Sequence, residues 1–358
     1  MTTDYNKILK KIDKINPVKY SKDRNFIDGS VSKLSPYISR GVISTKFVYD
    51  YLIKKGYTLN KILKFVQELV WREYWQQTWN NYNINNDLKN TQKDVLYYGI
   101  PTKVIEHSTK INAIDHSIIE LYETGYMHNH LRMYLASLTT NIAKYHWRIP
   151  AKWMYYHLLD ADWGSNALSW QWVCGANSHK KYYANQQNIN KFTKTNQTNT
   201  ILDCSYEDLI NINKHQDYSE NTNLNLITIF PESEIINIDA KKPICIYNFY
   251  NLDSNWRNNL DANRILLIEP SIFKKYPIGE RSMKFMLDLS KNINKIKVFV
   301  GEFDELPIKN SKVYFKEHPL NYNYKGIKDQ REWICKVEKP FKSFFKHWNY
   351  ILKEIAFK

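Results

Sequence analysis

The sequence has 358 residues, 43% of them hydrophobic, and a formal net charge of +15, with length enough for two domains. No stretch reaches the eighteen or so apolar residues of a membrane span, and the start, MTTDYNKILKKIDK, has no apolar run of the kind a secretory signal needs. Cys174, Cys204, Cys245 and Cys335 lie 30, 41 and 90 residues apart, which argues against a disulfide framework or a cysteine-built metal site and fits a reducing, cytoplasmic setting.

The charge is unevenly placed. Residues 1–200 hold 27 Lys and Arg against 15 Asp and Glu, whereas residues 201–358 hold 24 against 21. A basic first half points to a polyanion partner, with nucleic acid the leading candidate, although lysine-rich surfaces also serve solubility.

Residues 1–195 read as helical. Ser44–Lys55, Leu59–Asn80, Asn112–Thr124, Asn129–Tyr145 and Ala151–Leu159 carry apolar residues at three- and four-residue spacing. Pro36, Gly41, Gly56, Pro101, Gly125 and Pro150 punctuate them. The Asn/Gln/Thr-rich stretch Asn185–Thr200 reads as a loop, and residues 196–222 as a linker. Beyond it, β-branched runs at Leu224–Phe230, Pro243–Tyr247, Arg264–Ile268, Lys295–Val300 and Lys312–Phe315 alternate with helical patterns at Glu280–Lys291 and Lys339–Ile355. Residues 223–358 are therefore expected to form a smaller α/β domain with a parallel sheet. No GxGxxG or P-loop cradle is present.

Three clusters carry candidate chemistry. In YMHNHLRMYLASL, Asn129, Arg132 and Met133 fall on one helical face. Asp160 and Asp162 open DADWGSNALSWQW, where they can pair with Arg132 or accept a ligand's N–H groups, and Asn166 and Trp170 follow at i and i+4. A capping Asp, a satisfied Asn and a core Trp are the plain alternatives. In QELVWREYW, Glu68, Trp71 and Arg72 share a face able to hold a stacked base beside a phosphate; an ion pair flanking a core Trp fits the pattern equally. In GSVSKLSPYISRG, small hydroxyls precede a helix start, as either a diphosphate turn or an ordinary N-cap requires.

In order and spacing, SKLSPY, ELVWREYW, MHNHLRM and DADWGSNALSWQW together resemble the FAD-binding domain of DNA photolyases and cryptochromes, over about residues 20–190. The resemblance implies an all-α photolyase-type FAD- and DNA-binding domain in residues 1–195. It implies that Tyr20, Ser32, Leu34 and Ser35 hold the FAD diphosphate and ribityl chain, with Arg72 nearby. Arg132 and Asp160 would form the ion pair beside the isoalloxazine, Asp162 would meet its edge and Asn166 would face N5. Glu68, Trp71, Asn129, Met133 and Trp172 match positions lining the pocket for a cyclobutane pyrimidine dimer, and His130 stands where many relatives place a DNA-wedging Arg. Trp170 and Trp147 match the proximal and middle members of the electron-transfer chain.

The activity implied is that of a deoxyribodipyrimidine photo-lyase, which repairs such dimers in DNA under blue light by electron transfer from reduced FAD. The alternative is a cryptochrome-like FAD light sensor without repair. The expected state is a cytoplasmic monomer bound to dimer-containing DNA, with no membrane association and no metal. Some positions depart from the family pattern. Val31 replaces a frequent Thr, KKYYANQQNINKF replaces the usual tail, and no Trp lies between Trp79 and Trp147, so the distal electron donor is missing, with Tyr97 or Tyr98 as substitutes. RILLIEPSIFKKYPIGERSMKFMLDL and KVEKPFKSFFKHW resemble the family's α/β antenna domain, here placed second; no antenna chromophore is assigned.

Overall fold

The structure is a computed structural model that describes residues 1–308, 311–337 and 341–356. In chain order its principal helices are α1 (Tyr5–Asp13), α2 (Thr45–Lys54), α3 (Leu59–Asn81), α4 (Asn112–Thr124), α5 (Asn129–Ser137), α6 (Arg148–His157), α7 (Trp163–Cys174), α8 (Gln186–Thr193), α9 (Pro270–Lys275), α10 (Glu280–Ser290) and α11 (Phe344–Ala356). The strands β1 (Ile244–Tyr247), β2 (Asn263–Ile268), β3 (Ile296–Val300), β4 (Val313–Lys316) and β5 (Ile327–Asp329) form one sheet. No helix among the described residues is long and apolar enough to cross a membrane. The chain divides into two compact units. One comprises residues 1–18, 32–80 and 227–358, the other residues 19–31 and 81–226.

The second unit is built from helices whose apolar stripes meet. In α4, Ile114, Ile118 and Leu121 recur at helical spacing and are fully buried. Asp115 ties down the chain leading into α4 by accepting from the backbone N–H groups of Thr109 (2.9 Å) and Lys110 (3.1 Å). The helix stops at Gly125, whose φ of +71° suits glycine best. Helix α5 packs on α4 and α7, and α6 packs on α7. The helix expected to reach Tyr145 instead ends at Ser137 and passes into a buried π-turn, Leu138–Ile142. Asn141 is fixed there by donating to the carbonyls of Val173 (3.1 Å) and Tyr182 (2.7 Å).

The loop expected over 185–200 contains α8. Asn185 caps it by accepting from Asn188 N–H, and Ile189 is its buried anchor. Ile100–Pro101 also pairs antiparallel with Asn221–Thr222, so the structure departs from a purely helical first region.

The first unit holds the sheet, parallel throughout, in the order β3-β2-β1-β4-β5. All four residues of β1 are buried, as a central strand covered on both faces requires. Ile246 sits opposite Ile265 on one side and Phe315 on the other. These residues join Ile244, Leu267, Val313, Phe303 and Tyr324 in one core cluster. Helix α10 buries Met283, Met286 and Leu289.

Four of the five expected strands are present with small end shifts; Leu224–Phe230 is not a strand. Ile227 and Ile229 are 59% and 60% exposed. The Thr228 hydroxyl is tied to the backbone of Ile278, donating to its carbonyl (3.0 Å) and accepting from its N–H (2.8 Å). The short edge strand β5 was not anticipated. Of the helix expected at 339–355, residues 339–340 lie outside the described residues, 341–343 are not helical, and 344–355 fall in α11.

Candidate functional site

Ser32, Leu34, Ser35, Glu68, Trp71 and Arg72 belong to the first unit; the other expected site residues belong to the second. In the second unit a largely shielded ion pair stands at the expected site. Arg132 of α5 donates from Nη1 to Asp160 Oδ2 at 3.0 Å and from Nε to the Met127 carbonyl at 2.9 Å. The Asp160 side chain is 7% exposed and that of Arg132 22%. The two charges hold each other, and the pair fixes α5 against the chain entering α7.

Asp162 caps α7 by accepting from Ser165 N–H at 2.9 Å. One turn in, the Asn166 amide donates to the Ala151 carbonyl at 2.7 Å, which fixes its orientation. Ser165 lies in the same turn; its hydroxyl is buried and has no hydrogen-bond partner among the described residues. A charged pair, a capping carboxylate, an oriented amide and an orphaned hydroxyl thus gather around one helix start amid buried rings. This donor set fits a cofactor that is both flat and polar-edged.

Towards solvent the polarity changes. Asn129 is exposed and its Nδ2 approaches Met133 Sδ at 3.7 Å. Trp172 is 36% exposed, with the Tyr182 ring 5.7 Å away. Trp170 is buried. His130 packs against the rings of Tyr134 and Phe192 at 5.4 and 5.0 Å. Burial, with help from neighbouring His128 and Arg24, lowers its pKa to about 4, so it is neutral at pH 7. Tyr20 is half-buried on the short helix Pro17–Asp23. Trp147 is fully buried; its indole donates to Asp87 Oδ1 at 2.6 Å, and its ring neighbours include His146 and Trp163.

In the first unit, Ser32 Oγ accepts from Leu34 N–H at 3.4 Å, just before the five-residue helix Ser35–Ser39. The Leu34 side chain is buried, so its backbone is the part able to meet a ligand. On α3, Lys64 pairs with Glu68 at 3.0 Å. The Trp71 ring lies flat on Phe344 of α11, with centroids 3.4 Å apart and planes 7° from parallel. One face of the Trp71 ring is therefore taken by the chain's own phenylalanine.

Arg72 lines a polar cavity with Glu73, Gln76, Asn251 and Arg331. Glu73 is 1% exposed and accepts from the Thr45 hydroxyl and from Ile334 N–H (2.9 Å). Burial pushes its pKa up to about 7, against the opposing pull of those hydrogen bonds and of Arg331. Neither Glu73 nor Phe344 was singled out from the sequence. An acid on the apolar side of WREYWQQ was the available sign for Glu73; Phe344 had none beyond an aromatic-rich tail.

Residues 65–201 match the family model described as the FAD binding domain of DNA photolyase. A deoxyribodipyrimidine photo-lyase of Agrobacterium fabrum is 30% identical over 168 residues, 44% of this chain and 34% of that protein. The mitochondrial deoxyribodipyrimidine photo-lyase of Saccharomyces cerevisiae is 27% identical over 168 residues, 42% of this chain and 30% of that protein. Among solved structures, a bacterial class III photolyase from Agrobacterium tumefaciens matches with 28% identity and a TM-score of 0.38, over 48% of this chain and 38% of that one. The chain spans about a third of the length of these curated relatives. Over residues 65–201 this chain is therefore similar to the FAD-binding domain of the DNA photolyase family, and its cofactor is FAD.

Proposed function

We propose that this chain is a photo-lyase that splits cyclobutane pyrimidine dimers in DNA under blue light. The observation that carries the reading is the ordered set of motifs within the matched FAD-binding domain, which pairs flavin-site residues with the Glu68, Asn129 and Met133 expected at a dimer pocket. Bound reduced FAD supplies the light absorption and the transferable electron.

The chain supplies placement. Arg132, Asp160, Asp162 and Asn166 would hold and orient the flavin ring, and Ser32, Leu34, Ser35 and Tyr20 its phosphate-bearing arm, with Arg72 close by. Asn129 and Glu68 would hydrogen-bond the bases of a flipped dimer, which is already poorly stacked and therefore cheap to extrude. Trp172 and Trp71 would pack against it. Because His130 is neutral, the grip on DNA falls to the lysines and arginines of residues 1–200. We assign residues 1–195 to FAD and DNA binding, with the α/β region as an antenna-like domain.

A cryptochrome-like sensor is the second reading, favoured by the Phe344 ring lying on Trp71. Illumination of the purified, flavin-loaded protein with thymine-dimer oligonucleotide separates them. Repair predicts loss of dimer together with a flavin absorption spectrum; an unchanged dimer beside a photoreduced flavin supports the sensor. Within the repair reading, Asn129→Ala retains FAD and loses repair, and an unchanged repair rate removes Asn129 from the site.

A further inference from the structure

We propose that the exposed ring of Tyr98 and the lysines gathered around Asp94 form a landing site for an unpaired stretch of nucleic acid. The site rests on the reading of DNA as this chain's partner, and it uses none of the residues assigned to the dimer pocket or the flavin. Tyr98 is 71% exposed, and one face of its ring lies on the imidazole of His146, with centroids 5.6 Å apart and planes 18° from parallel. At that exposure the other face is available to a third flat ring. Stacking on aromatic side chains is how unpaired bases are held without regard to sequence.

The platform is fixed from beneath. His146 N–H donates to the Tyr97 carbonyl at 2.9 Å. Its Nδ1 accepts from Arg148 N–H at 3.3 Å and its Nε2 lies 3.6 Å from Asp87 Oδ1, so the imidazole is held at both edges. Leu96 and Tyr97 donate their N–H groups to the Lys144 carbonyl at 2.9 and 3.2 Å. On the far side, Asn221 Nδ2 donates to the Tyr98 carbonyl at 3.1 Å, and Asn221 Oδ1 accepts from Ile100 N–H at 3.0 Å. A Cβ at Gly99 would stand 1.9 Å from that oxygen, so glycine is what lets Asn221 close on this backbone. A platform already in place loses little freedom when a base settles on it.

The same pairing of residues 96–98 with 144–146 brings cations beside the ring. Lys181 pairs with Asp94 at 2.7 Å. That contact above all, with Lys144 and Lys93 behind it, holds the Asp94 carboxyl below the usual carboxylate range. Three ammonium groups thus share one carboxylate, and Lys181 is the one committed to it. Lys144 is half-buried; burial first and the charge of Lys181 second lower its pKa, a strain that an arriving phosphate relieves. An acidic peptide would answer the charge and leave the open ring unused. A strand of unpaired nucleotides answers both, with phosphates for Lys93 and Lys144 and a base for Tyr98. A duplex keeps its bases stacked on one another, so the single strand is the form selected.

Fluorescence anisotropy with a short, undamaged, labelled oligothymidylate, on flavin-loaded protein in the dark, tests the site. Tyr98→Ala should weaken binding about fivefold or more and abolish the quenching of a 2-aminopurine placed in the strand. Tyr98→Phe should retain both, and Tyr82→Ala, which removes another exposed tyrosine of the same unit, should change neither. Lys93→Gln combined with Lys144→Asn should make the log–log salt dependence shallower by about 1.4, for two phosphate contacts at ~0.7 each. Asparagine suits residue 144, whose backbone is left-handed with φ of +62°. Unchanged affinity in Tyr98→Ala, or an unchanged salt slope in the lysine double variant, overturns the proposal. So does tighter binding of undamaged duplex than of single strand, or displacement by polyglutamate as readily as by unlabelled oligothymidylate. If illuminated protein leaves thymine dimers intact, the photo-lyase reading fails on its own and these dark measurements still decide the site.

Discussion

Glu73→Gln separates the cost of a buried charge from the value of the hydrogen bonds around it. Glutamine keeps an oxygen for Ile334 N–H and the Thr45 hydroxyl but cannot ionise. In the folded protein the Glu73 carboxyl titrates at about 7 against an ordinary 4.5. Below pH 4.5 both folded and unfolded chains hold the proton, and this site's contribution to stability is complete. Between 4.5 and 7 the unfolded chain has released its proton while the folded one retains it, so stability falls as pH rises. Above 7 the loss is full. At about 1.4 kcal/mol per pH unit, the interval amounts to ~3 kcal/mol. Urea unfolding at a series of pH values should find the variant and parent equally stable near pH 4, with the variant ahead by on the order of 3 kcal/mol at pH 8. Parallel stability curves for the two proteins would refute the argument, because the buried carboxylate would then not be the source of the loss.

Asp160→Ala leaves Arg132 shielded without its partner and should cost on the order of 3 kcal/mol of stability in urea unfolding, together with flavin retention. Asp162→Ala removes the cap of α7 and should cost about 1 kcal/mol; a drop in FAD affinity well beyond that cost identifies a second role for the carboxylate. His130→Gln should leave the salt dependence of DNA binding unchanged between pH 6 and 8, because the imidazole it replaces is already uncharged. A slope shallower by about one phosphate contact would show that His130 does carry charge on DNA.

The sequence disclosed most where one segment contains its own partners. Helical spacing placed α2 to α4 almost residue for residue, and the offset of Asn129 from Met133 correctly put them side by side. The strands β1, β2 and β4 were legible because parallel strands buried in a sheet are continuous apolar runs, and β3, a partly exposed edge strand, because its run is rich in β-branched residues. Legibility failed where a partner lies far along the chain. Asp87 holds the Trp147 indole from 60 residues upstream, and no local pattern marks it. Leu224–Phe230 has the composition of a strand, but a ladder requires a neighbour, and the segment spends Thr228 on Ile278 instead. Pro150, expected to interrupt, sits in the first turn of α6, where a missing N–H costs little. The loop expected at 185–200 concealed α8 because its cap and polar face share the composition of a linker.

The flat contact between Trp71 and Phe344 gives the chain an internal competitor for its own aromatic platform. A nucleobase on an aromatic ring gains about 1–3 kcal/mol, comparable with what a phenylalanine already in place forfeits when it lifts. Any base using that face of Trp71 must exceed this threshold, and its apparent affinity is scaled down by the fraction of time Phe344 is away. The contact thus acts as a filter, turning back bases that offer stacking alone and admitting those that bring further contacts with them.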